Sequence, residues 1–237
     1  MNQQWVIPDI HGYKKTLQTL IEEQLVPSRS DTLFFLGDLI DRGPDSKGVI
    51  DYLMHLEEQG YDIQVLRGNH EDCCLEAWKA AHKKKSFFSF NKTPEQRQWE
   101  AVGGLKTLES FGVKLAQQIP EHYIDWIAKT KFYIELDNYI LVHAGMNFKI
   151  ENPFEDTFSM LWIGDFVVDP KKINGKKIIH GHVPVSLEMI EIIRNSPNYH
   201  FISLDNCVYH TNKAGYGNLL AFNIETNEIY IQANVDE

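Results

Sequence analysis

Short apolar runs recur along the chain, and each gives way to a Gly or Pro with a polar side chain beside it. Trp5-Val6-Ile7 stops at Pro8-Asp9, Leu33-Phe34-Phe35-Leu36 at Gly37-Asp38, and Ile63-Gln64-Val65-Leu66 shortly before Gly68-Asn69-His70. Between them, Leu17, Leu20, Ile21 and Leu25, then Val49, Ile50, Leu53 and Leu56, fall at helical spacing. This predicts consecutive βαβ units of about thirty residues and so a parallel sheet.

Further helices are predicted over 72–82, from Leu105 to Phe111 and from Tyr123 to Ala128. Residues 83–98 read as a polar, irregular insertion carrying Phe87, Phe88 and Phe90. The texture then changes. Phe132 to Leu136 and Tyr139 to Val142 flank Asp137-Asn138, a two-residue hairpin turn. Lys177-Ile178-Ile179, His200 to Leu204, Leu219 to Ile224 and Glu228 to Gln232 add strands, so the second half is richer in antiparallel pairing. No linker and no repeat divides the chain. A single α/β domain over 1–237 is expected, with a cap or insertion at about 83–98.

A net charge of -10 over 237 residues disfavours generic binding to nucleic acid or an anionic membrane. The one basic run, Lys83-Lys84-Lys85, reads as a solvated loop or helix end. Three cysteines, Cys73, Cys74 and Cys207, form neither a disulfide framework nor a zinc pattern and read as buried free thiols. The first residues carry no basic region or long apolar run, which points to the cytoplasm.

The polar groups at the strand ends carry the chemistry. Asp9 and His11, Asp38, Asn69 and His70, His143, and His180 and His182 each follow an apolar run. Functional groups collect beyond the carboxyl ends of strands in open α/β sheets. One Asp or His in such a place is ordinary turn chemistry; a candidate ligand at five strand ends is not. Carboxylates and imidazoles without thiolates suit Mn, Fe or Zn. A pair of such ions about 3.5–4 Å apart clamps a phosphoryl group, and an arginine beside them grips its oxygens.

The segments Asp9-Ile10-His11-Gly12, Gly37-Asp38-Leu39-Ile40-Asp41-Arg42-Gly43, Gly68-Asn69-His70-Glu71, His143-Ala144-Gly145 and His180-Gly181-His182 resemble, in order, the motif series of the phosphoprotein phosphatase family of calcineurin-like metallophosphoesterases, above all its small bacterial members. The resemblance implies a central β-sandwich flanked by helices on both faces. It implies two divalent metal ions, Mn first, with Fe or Zn as alternatives. Asp9 and His11 would hold the first metal, Asp38 would bridge both, and Asn69, His143 and His182 would complete the second. A bridging hydroxide would attack phosphorus in line. His70 would protonate the leaving group, Asp41 would orient His70, and Arg42 would bind the phosphate oxygens.

Outside that pattern, Glu71 either orders its loop or starts a helix. His180 reads as packing, His200 and His210 as ordinary residues, and Asp205-Asn206 as a structural stretch. Pro8 stands where the family usually has Gly. Gly164, after Leu161-Trp162-Ile163, stands where small bacterial relatives carry a second phosphate-binding Arg, which Arg194 could replace. Pro184 lacks the His of nuclease-type relatives and favours the phosphatase branch. The resemblance implies a phosphomonoesterase acting on phosphoserine, phosphothreonine or phosphotyrosine in proteins, or on a small phosphoester. The alternative is a dinucleoside polyphosphate hydrolase, with Phe87, Phe88, Phe90 and Trp99 stacking on a base or forming a satellite core. A third reading is a pseudophosphatase that binds phosphorylated partners without turnover.

Overall fold

The computed structural model describes residues 2–83 and 92–236. Its first half repeats a strand-helix pattern: β1 (Gln4–Ile7), α1 (Lys14–Thr19), β2 (Thr32–Phe35), α2 (Ser46–Glu58), β3 (Asp62–Val65) and α3 (Asn69–Lys83). Then come α4 (Pro94–Trp99), α5 (Leu105–Ser110) and α6 (Glu121–Ala128). The second half contributes β4 (Tyr133–Glu135), β5 (Tyr139–Val142), α7 (Thr157–Trp162), β6 (Lys177–His180), α8 (Leu187–Asn195), β7 (Phe201–Ser203), β8 (Asn218–Asn223) and β9 (Ile229–Ala233).

Two mixed sheets result. One is five-stranded in the order β3-β2-β1-β8-β9, the other four-stranded in the order β4-β5-β6-β7. β1, β2 and β3 run parallel, as do β5, β6 and β7. Strand alternation assigns the layers. Val6, Phe34, Leu220 and Phe222 meet Leu141, Ile179 and Ile202 in a core between the sheets. Trp5, Ile7, Leu33 and Phe35 face the other way, onto Leu17, Val49, Leu53 and Leu75 of the helices. Ile140, Val142 and Ile178 cover the outer face of the second sheet with Met146, Met160 and Ile173. The expected sandwich with helices outside is therefore present.

The Asp137-Asn138 hairpin forms as expected, with β4 and β5 antiparallel and the Leu136 N–H donating to the Tyr139 carbonyl at 2.8 Å. Residues 83–98 need a correction where they are described. Pro94–Trp99 is helical, because Thr93 caps it by accepting the Gln96 N–H and Pro94 supplies a preset first turn. Lys84, Lys85, Phe87, Phe88 and Phe90 lie outside the described residues. Cys73, Cys74 and Cys207 are free thiols. No helix among the described residues is long and apolar enough to cross a membrane.

Candidate metal centre

The strand ends converge on one buried spot. Asp9 and His11 follow β1, Asp38 and Asp41 follow β2, Asn69 and His70 open α3, and His143 and His182 follow β5 and β6. All but His182, which is half-buried, are shielded from solvent. Reaching the spot takes unusual backbone. His11, Asp38, Asp41, Arg42 and His182 all have positive φ, between 49° and 73°. Such conformations cost ~1–3 kcal/mol each for a side-chain-bearing residue and cluster at functional sites. Gly37 (φ 95°) and Gly68 let the second and third strand ends touch. A Cβ on Gly37 would lie 2.4 Å from the Gly68 nitrogen, and one on Gly68 would lie 2.1 Å from Asp38 Oδ1.

Hydrogen bonds fix which imidazole nitrogens face inward. His11 Nδ1–H donates to the Ile40 carbonyl at 3.0 Å and His143 Nδ1–H to the Leu36 carbonyl at 2.9 Å. Their Nε2 lone pairs then point at Asp38, 3.7 Å from Oδ2 and 3.5 Å from Oδ1 respectively. Asp38 is common to two sets of side chains close enough to hold a cation, His11, Asp38 and His70, and Asp38, His143 and His182; Asp9 falls in neither set. Asn69 Oδ1 lies 3.0 Å from His143 Nε2, which also sits 3.2 Å from His182 Nδ1. Asp9 turns its carboxylate to the His182 N–H, at 3.0 and 3.1 Å.

Electrostatics marks the spot as short of positive charge. Burial, then Asp205 and Asp38, push the Asp9 pKa well above the usual carboxylate range. Burial lowers His11 and His143, and burial with His143 takes His182 down to about 4. Burial would raise Asp38 too, but His143, His70, His11 and His182 outweigh it and lower its pKa. Neutral imidazoles and an amide oxygen thus aim lone pairs at one another beside buried carboxylates. This donor set fits divalent cations.

His70 stands apart from that logic. Its Nδ1–H donates to Asp41 Oδ2 at 2.7 Å, and Arg42 Nη2 lies 3.1 Å from its Nε2. Burial lowers its pKa, but Asp38 and Asp41 outweigh that and raise it. Arg42 is exposed at the mouth and lies over the Tyr209 ring, 4.7 Å from its centroid, with a further hydrogen bond to the Tyr209 hydroxyl.

A family model described as calcineurin-like phosphoesterase matches residues 4–221. The chain belongs to that family. Among curated relatives, "Bis(5'-nucleosyl)-tetraphosphatase, symmetrical" of Buchnera aphidicola is 33% identical over 94 residues, covering 38% of this chain and 33% of the relative. "Serine/threonine-protein phosphatase 1" of Salmonella typhimurium is 42% identical over 73 residues, covering 31% of this chain and 32% of the relative. These matches span about a third of each relative's length. The fold is similar to that of a protein serine/threonine phosphatase from Saccharomyces cerevisiae, with TM-score 0.62 and 15% identity over 100% of this chain and 81% of that one. It is also similar to a metallophosphoesterase from Sphaerobacter thermophilus, with TM-score 0.54 and 14% identity over 98% of this chain and 87% of that one.

Within this calcineurin-like phosphoesterase, several residues take roles that the sequence left open or hid. Glu71 orders its loop: its carboxylate accepts the N–H groups of Asp38, Gly68 and Leu39 at 2.8–2.9 Å and of Ile40 at 3.3 Å. Arg194, the candidate to replace the arginine absent at Gly164, is tied to Glu191 and to the Asn227 carbonyl. Asn206 is structural, donating to the Val185 and Gly215 carbonyls, whereas Asp205 is buried beside Asp9 and raised by burial to about 7. His180 belongs to neither ligand group, and His200 and His210 are exposed. Trp99 is fully buried, so it is not a base-stacking platform; its indole N–H donates to Asp41 Oδ2 at 2.8 Å. The Trp99 bond to Asp41 and the place of Tyr209 beside Arg42 are not read from the sequence. The only sequence signal for Tyr209 is its place just beyond the last strand end before β8.

Proposed function

We infer that this chain is a metal-dependent phosphomonoesterase acting on phosphorylated serine or threonine in proteins, with phosphotyrosine as a further substrate. The observation that carries the reading is the adjacency of three parts. A cation-binding donor set, an imidazole backed by a carboxylate, and an exposed guanidinium meet around Asp38, His70 and Arg42.

Asp9, His11, Asp38, Asn69, His143 and His182 would hold two divalent ions. Those ions would supply a nucleophilic oxygen at neutral pH and offset the charge of the phosphate. The rest is done by the chain's own residues. Arg42 turns from His70 to the phosphate oxygens, and its planar fork orients the phosphorus for in-line attack. As the bond from phosphorus to the ester oxygen breaks, His70 Nε2 passes its proton to that departing oxygen. Asp41 holds the imidazole through Nδ1 and stabilises its protonated form before transfer.

Two features favour a protein substrate. Beside the centre lies a cavity of about 420 Å³, lined by Asp72, Glu76, Glu95, Phe158 and Trp162. Acidic and aromatic side chains there suit a peptide with basic or apolar neighbours and oppose a polyphosphate. Trp99, one of the four aromatics considered for stacking on a nucleobase, is enclosed. Similarity to the Buchnera tetraphosphatase supports dinucleoside polyphosphate hydrolysis as the second reading. Initial rates of Mn-loaded protein on a phosphoserine peptide, a phosphotyrosine peptide and diadenosine tetraphosphate separate the readings. Faster peptide hydrolysis is expected. Faster dinucleotide cleavage would overturn the protein substrate, and metal binding without any turnover would leave only a phosphate-binding role.

A further inference from the structure

The turn between α4 and α5 contains Gly103, at φ 127° and ψ -4°, a backbone that side-chain-bearing residues rarely adopt. Its carbonyl accepts the Arg42 N–H at 3.4 Å, and Arg42 itself is held at φ 68°. The turn and the segment after β2 therefore meet at these two residues.

Gly103 lies against the root of the Arg42 side chain. A Cβ there would stand 2.9 Å from Arg42 Cγ, 3.2 Å from the Arg42 nitrogen and 3.3 Å from Asp41 Cβ. Cγ is not a flexible tip: it yields only if χ1 turns or the backbone shifts. A turn about χ1 carries the whole side chain with it. The guanidinium would then leave the Tyr209 ring, 4.7 Å away at its centroid, and His70 Nε2, 3.1 Å from Arg42 Nη2.

We propose that Gly103 is a positioning residue for phosphate binding. It acts through Arg42 and not by contact with the phosphate. By carrying no side chain it leaves room for the stem rotamer that puts the guanidinium over Tyr209 and beside His70. With the stem in place, only the outer bonds of the side chain turn as the fork passes from His70 to the phosphate oxygens. A long cationic side chain loses rotamer freedom when it binds, and one whose stem is already held loses less. This matters here because Gly164 supplies no second guanidinium. The inference rests on the phosphate-binding role given to Arg42 in the proposed function.

A double-mutant cycle tests it. Wild type, Gly103→Ala, Arg42→Ala and the double variant are loaded with Mn and titrated calorimetrically with inorganic phosphate. Gly103→Ala should weaken phosphate about tenfold while Arg42 is present, and less than about twofold once Arg42 is Ala. Equal weakening in both backgrounds, or none while Arg42→Ala itself is weakened, would overturn the positioning role. Unchanged affinity in Arg42→Ala would instead overturn the phosphate contact on which the proposed function relies. Denaturant unfolding of the same four metal-free proteins keeps the inference open to refutation if Gly103→Ala is too unstable to load. Removing Cγ relieves the clash, so Gly103→Ala should lower the unfolding midpoint less in Arg42→Ala than in wild type. An equal fall in both would show that the glycine serves the backbone of its turn alone.

Discussion

Asp41 Oδ2 takes two hydrogen bonds at once, from His70 Nδ1 at 2.7 Å and from the Trp99 indole at 2.8 Å. Its other oxygen takes the Thr107 hydroxyl at 2.6 Å. The carboxylate behind the proposed acid is thus clamped by residues far away in the chain. Gly104 lets the backbone pass over the clamp, since a Cβ there would sit 2.6 Å from the Trp99 ring.

Trp99→Phe keeps most of the ring and removes the indole donor. A hydrogen bond to a charged group contributes about 1.5–3 kcal/mol. Turnover of a phosphoserine peptide should fall about tenfold, with KM and metal content unchanged. p-Nitrophenyl phosphate, whose leaving oxygen needs little protonation, should lose far less. Equal losses on both substrates would show that Trp99 supports the fold and not the acid.

Asp38 is common to both ligand groups. Asp38→Asn preserves shape but removes the charge that both groups share. Metal analysis should find both ions weakened, and turnover should nearly vanish. Full metal content with normal activity would contradict the shared role.

Glu71 makes every one of its four hydrogen bonds as an acceptor from backbone N–H groups. Glu71→Gln turns part of that acceptor surface into a donor facing other donors. The cost should be roughly 2–4 kcal/mol, read by denaturant unfolding, with weaker metal binding because Asp38 lies in the same loop. An unchanged unfolding midpoint would show that the loop is held by other contacts.

The polar groups that converge beside Asp38 were legible because each follows an apolar strand, so burial pattern and chemistry coincide in a few consecutive residues. Asp38 behind Leu33 to Leu36 is the clearest case. The Asp137-Asn138 hairpin was legible for the same local reason. Trp99 was not, since its partner lies 58 residues earlier and an indole reads as core in any sequence. The left-handed backbone at His11, Asp38 and His182 was hidden too, because those residue types do not announce a positive φ as glycine does. Helix α4 was missed although Thr93-Pro94 is a capping signal, because the neighbouring phenylalanines made the stretch look irregular.

Metal reconstitution decides whether the donors around Asp38 hold catalytic ions. Chelator-stripped protein is titrated with Mn while bound metal and hydrolysis of a phosphoserine peptide are measured together. Activity should be negligible without metal and reach its full value as two ions per chain are taken up. Undiminished activity in the metal-free protein would contradict it.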